Sequence, residues 1–250
     1  MTTSNANVPE CWQRSEQALA VDDTWRAYWE GIQDRQDVFR IEARDYVARV
    51  VAALKPSATT RVLDFGCGFG HTAMELSRHV GVVALWDASS AVRQQAMVRV
   101  SGLRNIEFLD LQEGVSPGAV EPFDLILVHS VLQYMSPAEI EGWLHRWRGL
   151  LSPNGKLVLS DLITPGAGGL TELADYLKFA ARNGFFWNAL IAGMKETGRY
   201  ASARRSRPLT TVTHELLAQW AGAAGLAAQW LPANLSHRKT RATAVLQFVR

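Results

Sequence analysis

Short apolar runs alternate with longer amphipathic stretches along most of this chain. Runs of strand length fall near Arg61 to Phe65, Val82 to Trp86, Ile106 to Leu109, Phe123 to Val128 and Lys156 to Ser160, with stretches of helical length between them. Connections that long are crossovers, so the pattern predicts parallel strands in a doubly wound α/β sheet. One helix start is legible residue by residue. Ser136-Pro137-Ala138-Glu139 sets out a capping serine, a proline at the first helical position and a reciprocating glutamate, and predicts a helix to about Leu150. Upstream, Cys11 to Leu54 has a helical pattern rich in large aromatics, with Trp12, Trp25, Tyr28 and Trp29 ahead of a helix carrying Phe39, Ile41, Tyr46, Val47, Val50 and Val51. It is expected to be an N-terminal helical cap over residues 1–54. From Thr164 to Pro208 a long, mostly helical insertion interrupts the alternation, with Tyr176, Phe179, Phe185, Phe186, Trp187, Leu190, Ile191 and Met194. Connections of this length usually carry function. A helix from about Thr213 to Ala224 and strands near Leu226 to Leu231 and Ala242 to Val249 complete the pattern.

The chemistry concentrates at the end of the first strand. Val62-Leu63-Asp64-Phe65-Gly66-Cys67-Gly68-Phe69-Gly70 runs from an apolar strand into a tight glycine loop, and His71 opens the following helix. Such a corner lets a ligand approach the backbone closely. A dinucleotide would place its pyrophosphate there, but the third glycine position of its fingerprint is His71, and Asp64 would repel the phosphates. A cofactor carrying an ammonium and a sulfonium suits the carboxylate. Asp87 ends the second strand about twenty residues after the loop, where an acid accepts hydrogen bonds from ribose hydroxyls. Its other reading is a helix cap, since Ala88-Ser89-Ser90 opens the next helix.

From Arg61 to about Asp161 the sequence resembles the class I S-adenosylmethionine-dependent methyltransferases. The resemblance rests on VLDFGCGFG, on Leu85-Trp86-Asp87, on Phe123-Asp124-Leu125-Ile126-Leu127-Val128, and on Leu150-Leu151-Ser152-Pro153-Asn154-Gly155-Lys156-Leu157-Val158-Leu159. The last is similar to the family's Leu-x-Pro-Gly-Gly turn into its fifth strand, with Asn154 in place of the first glycine. The resemblance implies a Rossmann-like, seven-stranded, mostly parallel sheet ending in an antiparallel hairpin. It also implies S-adenosyl-L-methionine as cofactor and a methyltransferase domain over residues 55–250. The insertion over 164–208 would be a helical lid on the acceptor pocket. The cofactor-binding set it implies is Tyr28, Asp64, Gly66, Cys67, Gly68, Gly70, Asp87, Ala88, Leu109, Asp110, Leu111, His129 and Ser130. In that set Asp110 approaches the adenine amino group, Leu109 or Leu111 lies against the ring, and Tyr28 folds over the methionine end.

His129-Ser130-Val131-Leu132-Gln133-Tyr134 lies at the carboxyl end of the fourth strand, where open α/β sheets hold their ligands. His129 and Tyr134 are the candidate catalytic residues, His129 as a base and Tyr134 as an orienting group, with Asp161 behind them. A base is needed only if the acceptor holds a proton, and His129 could equally bond cofactor or backbone. His237 either faces the pocket or is a solvated loop histidine, and His71 is a neighbour of the cofactor loop. His79, His145 and His214 show no ligand spacing, so no metal site is legible.

Composition narrows the partners. The 250 residues are 48% apolar with a net charge of +2, enough for one sizeable core. Met1 to Glu10 lacks the basic start and apolar middle of a secretory signal, and no apolar run is long enough for a membrane span. A cytoplasmic protein is expected, with Cys11 and Cys67 reduced. From Lys195 onward nine Lys and Arg face only Glu196 and Glu215, which suits either solvation or an anionic partner. A small-molecule acceptor is favoured, and a homodimer is open. Nucleic acid is disfavoured because His129-Ser130-Val131-Leu132 replaces the Asn or Asp, Pro, Pro and aromatic pattern of amino-directed enzymes. Rival readings are a non-methylating reaction on the same cofactor (cyclisation, elimination or decarboxylation), RNA methylation, and nicotinamide redox chemistry.

Overall fold

The apolar runs assemble into one seven-stranded sheet of order β3-β2-β1-β4-β5-β7-β6. The structure is a computed structural model that describes residues 23–31, 36–111, 120–166, 169–186 and 202–249. Two helices lead, α1 (Asp23–Glu30) and α2 (Gln36–Leu54). Then come β1 (Arg61–Phe65), α3 (His71–Leu76), β2 (Val82–Trp86), α4 (Ser90–Val100), β3 (Ile106–Phe108), β4 (Phe123–His129) and α5 (Pro137–Leu150). The remainder is β5 (Leu151–Leu162), α6 (Gly169–Arg182), α7 (His214–Ala223), β6 (Leu226–Trp230) and β7 (Ala242–Phe248). Strands β1 to β5 pair in parallel, and β7 runs antiparallel between β5 and β6. The chain builds outward from β1 through β2 to β3, then crosses back to β4. That reversal opens a crevice at the carboxyl ends of β1 and β4.

Side-chain alternation along the strands sorts the core into two layers. Leu63 and Phe65 of β1 join Ile126, Val128, Leu157 and Leu159 against Trp143 and Trp147 of α5 and Trp220 of α7. On the opposite face Val62 joins Val83, Leu85, Leu125, Leu127 and Val158 against Tyr46, Val47 and Val50 of α2, Leu76 of α3 and Ala96 of α4. Asp64 falls between Leu63 and Phe65, so the pleat sends its carboxylate to the α2 side. The capping box at Ser136 forms as predicted. The Ser136 hydroxyl accepts from the Glu139 amide at 3.3 Å, and the Glu139 carboxylate takes the Ser136 amide at 2.5 Å.

The structure corrects the fifth strand and reaches only part of the insertion. Lys156 was expected to open β5, but the strand begins at Leu151, with a register irregularity that places Leu151 opposite Phe123 and Lys156 opposite Leu125. Gly155 permits this. A Cβ there would lie 2.7 Å from the Phe123 carbonyl oxygen, so the close strand approach excludes any larger residue. In the expected insertion, α6 packs Phe179 and Ala180, with Phe185 just beyond, against Val38 of α2. Cys11, Trp12, Trp187, Leu190, Ile191, Met194, Lys195, Glu196 and Arg199 lie outside the described residues, as does Met1 to Glu10. No helix among the described residues is long and apolar enough to cross a membrane.

Candidate active site

The glycine loop is held from below by the strand beside it. The amides of Gly66 and Cys67 both donate to the Trp86 carbonyl, at 2.7 and 3.0 Å, and the Gly68 amide donates to Asp87 Oδ2 at 2.9 Å. Gly66 (φ 75°), Gly68 (φ 53°) and Gly70 (φ 80°) all take the left-handed conformation. Their surroundings differ. A Cβ on Gly66 would meet Val131 Cγ2 at 2.4 Å, whereas one on Gly68 would meet no protein atom within 4 Å. The loop is therefore packed at its start and open at Gly68, the shape of a cradle for a ligand. Cys67 is buried, and burial first, then the nearby Asp87 and Asp64, push its thiol up and leave it unreactive.

Asp64 is the central polar group of the cradle. It is 2% exposed, and its Oδ2 has no hydrogen-bond partner among the described residues. Burial, and secondarily the charge of Asp87, raise its pKa from 3.8 to about 7. A buried acceptor in this state is incomplete until a donor reaches it, and a cationic donor would restore its charge. Asp87 is differently placed. Its Oδ1 accepts from the Ser89 amide at 3.0 Å while Oδ2 takes the Gly68 amide, so it ties the glycine loop to the start of α4, whose cap is Ser89 and not Asp87. Burial raises its pKa against the opposing pull of those amides and Arg93. Ala88 and Leu109 are half-buried beside it, Asp110 is exposed, and Leu111 is buried in the α5-side core. Of the two leucines predicted to meet a ring, Leu109 is the one left partly open.

Helix α1 closes over this corner. Tyr28, Trp29 and Phe39 pack against Phe69 of the glycine loop and Val92 of α4, and Ser89 donates to Glu30 at 2.9 Å. Tyr134 sits at the other end of the same helix, its ring centroid 4.7 Å from Trp25 and 5.9 Å from Trp29. The leading helices thus bring Tyr28 and Tyr134 to one crevice. His71 is buried at the start of α3, with Phe39 6.2 Å away.

His129 ends β4 on the α2 face. Its ring stacks on Tyr46 at 3.9 Å, and Nδ1 lies 3.3 Å from the Ser160 hydroxyl, which also bonds the Tyr46 hydroxyl at 2.9 Å. Burial lowers its pKa from 6.5 to about 4, with Arg238 adding to the effect and Asp161 opposing it. The imidazole is neutral at neutral pH.

Behind it lies a polar network that the sequence pattern does not reveal. Asp161 is buried with φ 68°, beside Ser130 with φ 56°, and its carboxylate accepts from Ser130 (2.6 Å), Ser236 (2.6 Å), Asn234 (3.0 Å) and Arg238 (2.7 Å). Burial would raise its pKa, but Arg238, then His129, Arg241 and the Ser130 bond outweigh it and hold the carboxyl well below the usual range. Arg241 in turn bonds Gln133 at 2.5 Å and both oxygens of Glu172 on α6. His237 is no solvated loop residue. It is buried and stacks on Phe179 at 4.2 Å, because α6 covers the loop between β6 and β7. Asp161 at a strand end was one signal for the network in the sequence; three of its four partners, Asn234, Ser236 and Arg238, lie more than seventy residues away. Among the described residues no cluster of three His, Cys, Asp or Glu could hold a metal ion.

Residues 63–157 match the model of the family described as Methyltransferase domain. A protein named as an uncharacterized methyltransferase of Mycobacterium tuberculosis is 29% identical over 134 residues, which is 52% of this chain and 66% of that relative. The match thus spans slightly under two thirds of the relative's length. Among solved structures, DesVI of Streptomyces venezuelae aligns with TM-score 0.54 at 13% identity, covering 91% of this chain and 98% of that one. Magnesium protoporphyrin IX methyltransferase from Synechocystis PCC 6803, solved with bound S-adenosylhomocysteine, aligns with TM-score 0.53 at 15% identity, covering 95% and 98%. These likenesses carry the fold, and the matched segment contains the glycine loop, Asp87 and the fourth strand. Residues 63–157 of this chain thus match a methyltransferase domain, and the solved neighbours share its Rossmann-like fold.

Proposed function

We propose that this chain moves a methyl group from S-adenosyl-L-methionine to oxygen, nitrogen or an activated carbon of a small, partly hydrophobic acceptor. The observation that carries the reading is the buried Asp64 Oδ2, without a hydrogen-bond partner among the described residues, at the strand end that leads into the open loop at Gly68. The residues present fit the family's cofactor. Asp64 takes the ammonium of the methionine end, Gly68 leaves room for its chain, Asp87 accepts from the ribose, and Leu109 and Asp110 border the adenine. Tyr28, Ala88, Gly66, Cys67, Gly70, Leu111 and Ser130 shape the walls. When bound, the cofactor supplies an electrophilic methyl carried on a sulfonium.

The chain's own contribution is mainly positional. Methyl transfer is an in-line displacement, so its acceleration comes from fixing the acceptor close to the methyl and in line with it. Tyr134 and His129 stand at the carboxyl end of β4 for that purpose. A neutral imidazole with a pKa near 4 is a weak proton acceptor, which favours a positioning role for His129. The leading helices α1 and α2, within the cap expected over residues 1–54, and α6, within the lid expected over 164–208, exclude water and supply aromatic surface to the acceptor. Residues 55–250 are the catalytic domain. Measurement of S-adenosylhomocysteine affinity by calorimetry tests the cofactor assignment. Asp87→Ala weakens binding by about 1 to 3 kcal/mol, and undiminished affinity refutes the site. Release of S-adenosylhomocysteine once per turnover separates methyl transfer from a non-methylating reaction, which leaves the cofactor intact.

A further inference from the structure

The loop between β6 and β7 brings a second charged group to the acceptor side of the crevice. Arg238 has a side chain 31% exposed, and Nη1 donates to Asp161 Oδ2 at 2.7 Å. Among the described residues its Nε and Nη2 donate to nothing. A guanidinium presents five N–H donors in a planar fork, and the geometry here uses one side and leaves the other. Asp161 engages Arg238 through Nη1 alone, its carboxylate being shared with Ser130, Asn234 and Ser236. Arg238 also lies within electrostatic reach of Tyr134, Glu42, His129 and His237. Three of these line the reaction edge or the loop beside it. Arg241 cannot serve instead, since it is buried and committed to Glu172 and Gln133.

A second observation points to a ligand at the same place. His237 is 9% exposed, its Nε2 has no hydrogen-bond partner among the described residues, and the nearest acidic oxygen, Glu42 Oε1, is 3.9 Å away. Burial lowers its pKa to about 3, so the ring is neutral and offers Nε2 as a hydrogen-bonding group without charge. Tyr176 and Phe179 wall this side, with ring centroids 5.9 and 4.2 Å from His237. The place therefore combines a half-used guanidinium, an unsatisfied imidazole nitrogen and aromatic walls.

We propose that Arg238 is the specificity residue of the acceptor site, and that its outer N–H edge takes the carboxylate of a small aromatic acid. The inference rests on the methyltransferase reading, because it presumes that the acceptor lies along this edge. A planar fork matches a carboxylate through two parallel hydrogen bonds, which neither the neutral amide nor an alcohol reproduces. Glu42 opposes a second anion nearby and favours an acceptor with a single carboxylate.

The test compares 4-hydroxyphenylacetate with 4-hydroxyphenylacetamide for binding to the protein loaded with S-adenosylhomocysteine, by ligand-observed NMR titration. The acid is expected to bind wild type at least about tenfold more tightly than the amide, as a charge-assisted pair requires. In Arg238→Gln the preference falls to within about threefold, while Arg238→Lys, which keeps the charge and the Asp161 pair but not the fork, retains part of it. Equal binding of acid and amide by wild type, binding of neither, or an undiminished preference in Arg238→Gln overturns the proposal. Should Arg238→Gln unfold, the wild-type ratio and Arg238→Lys decide, and a preference in Arg238→Lys as large as wild type's overturns the fork. Failure of the cofactor reading is seen separately, as wild type that does not bind S-adenosylhomocysteine at all.

Discussion

Asp64→Asn replaces the buried carboxylate by a carboxamide of nearly the same shape, and two consequences follow from one number. The carboxyl titrates at about 7 in the folded chain against 3.8 ordinarily, mainly through burial. Between those values the folded chain holds a proton that the unfolded chain has released, so stability falls as pH rises through that window. Below it the group contributes nothing, and above about pH 7 the full penalty of roughly 4 kcal/mol is present. Asparagine does not titrate. The stability of the variant relative to wild type should therefore rise by about 2 to 3 kcal/mol between pH 5 and pH 8, whatever fixed cost the amide brings. Urea unfolding of both proteins at the two pH values measures this, and a difference that does not move with pH refutes the burial argument. The same substitution should weaken S-adenosylhomocysteine binding by about 1 to 3 kcal/mol, since the lost partner is a charge-assisted one. Wild-type affinity should decline below about pH 7, where the carboxyl must first release its proton. A variant that is more stable at pH 8 and binds as well as wild type would leave Asp64 as a buried acid with no ligand.

Gly66→Ala and Gly68→Ala should part company. Both force a side chain onto a positive φ, but only the first drives a Cβ to 2.4 Å from Val131, so thermal unfolding should show a loss of about 2 to 4 kcal/mol for Gly66→Ala and about 1 for Gly68→Ala. Calorimetry should show that Gly68→Ala nonetheless loses cofactor affinity, because its methyl enters the open cradle. Asp161→Ala should cost about 3 to 5 kcal/mol in chemical denaturation, since it leaves Arg238 half-buried without its counter-charge and strips Ser130, Asn234 and Ser236 of their acceptor. The Asp161 carboxyl is held low in the folded chain, so its contribution is fully present above the ordinary carboxylate pKa and fades as pH falls below it; wild-type stability measured on acidification should show that loss, and Asp161→Ala should not. Ser136→Ala should cost about 1 kcal/mol by removing a helix cap, with cofactor affinity unchanged in the same calorimetric assay.

The crevice was legible because its parts are local. A strand ending in Asp64 and three glycines, a second strand ending in Asp87 and the capping box at Ser136 are written within a few residues each, and strand and helix periods give the order of elements. The structure pairs β1, β2 and β4 over the predicted runs. The start of β5 was not legible, because the irregularity from Leu151 to Lys156 depends on how closely Phe123 approaches Gly155 from another strand. Nor was the fate of His237, which looked like an ordinary loop residue and is buried only because Phe179 of α6 lies on it.

From the chain alone come the doubly wound sheet and the position of its crevice, because backbone conformation and hydrophobic period are short-range properties of neighbouring residues. Tertiary structure alone decided which carboxylate is paired and which is not. Asp64 is left with an open oxygen and a raised pKa while Asp161 gathers four donors and a low one, although both are aspartates at strand ends. The difference is made by groups far away in sequence: Asn234, Ser236 and Arg238 reach Asp161, and among the described residues no donor reaches Asp64 Oδ2. Desolvation and Coulomb energy are sums over everything folded nearby, and they exist only once the chain has closed on itself.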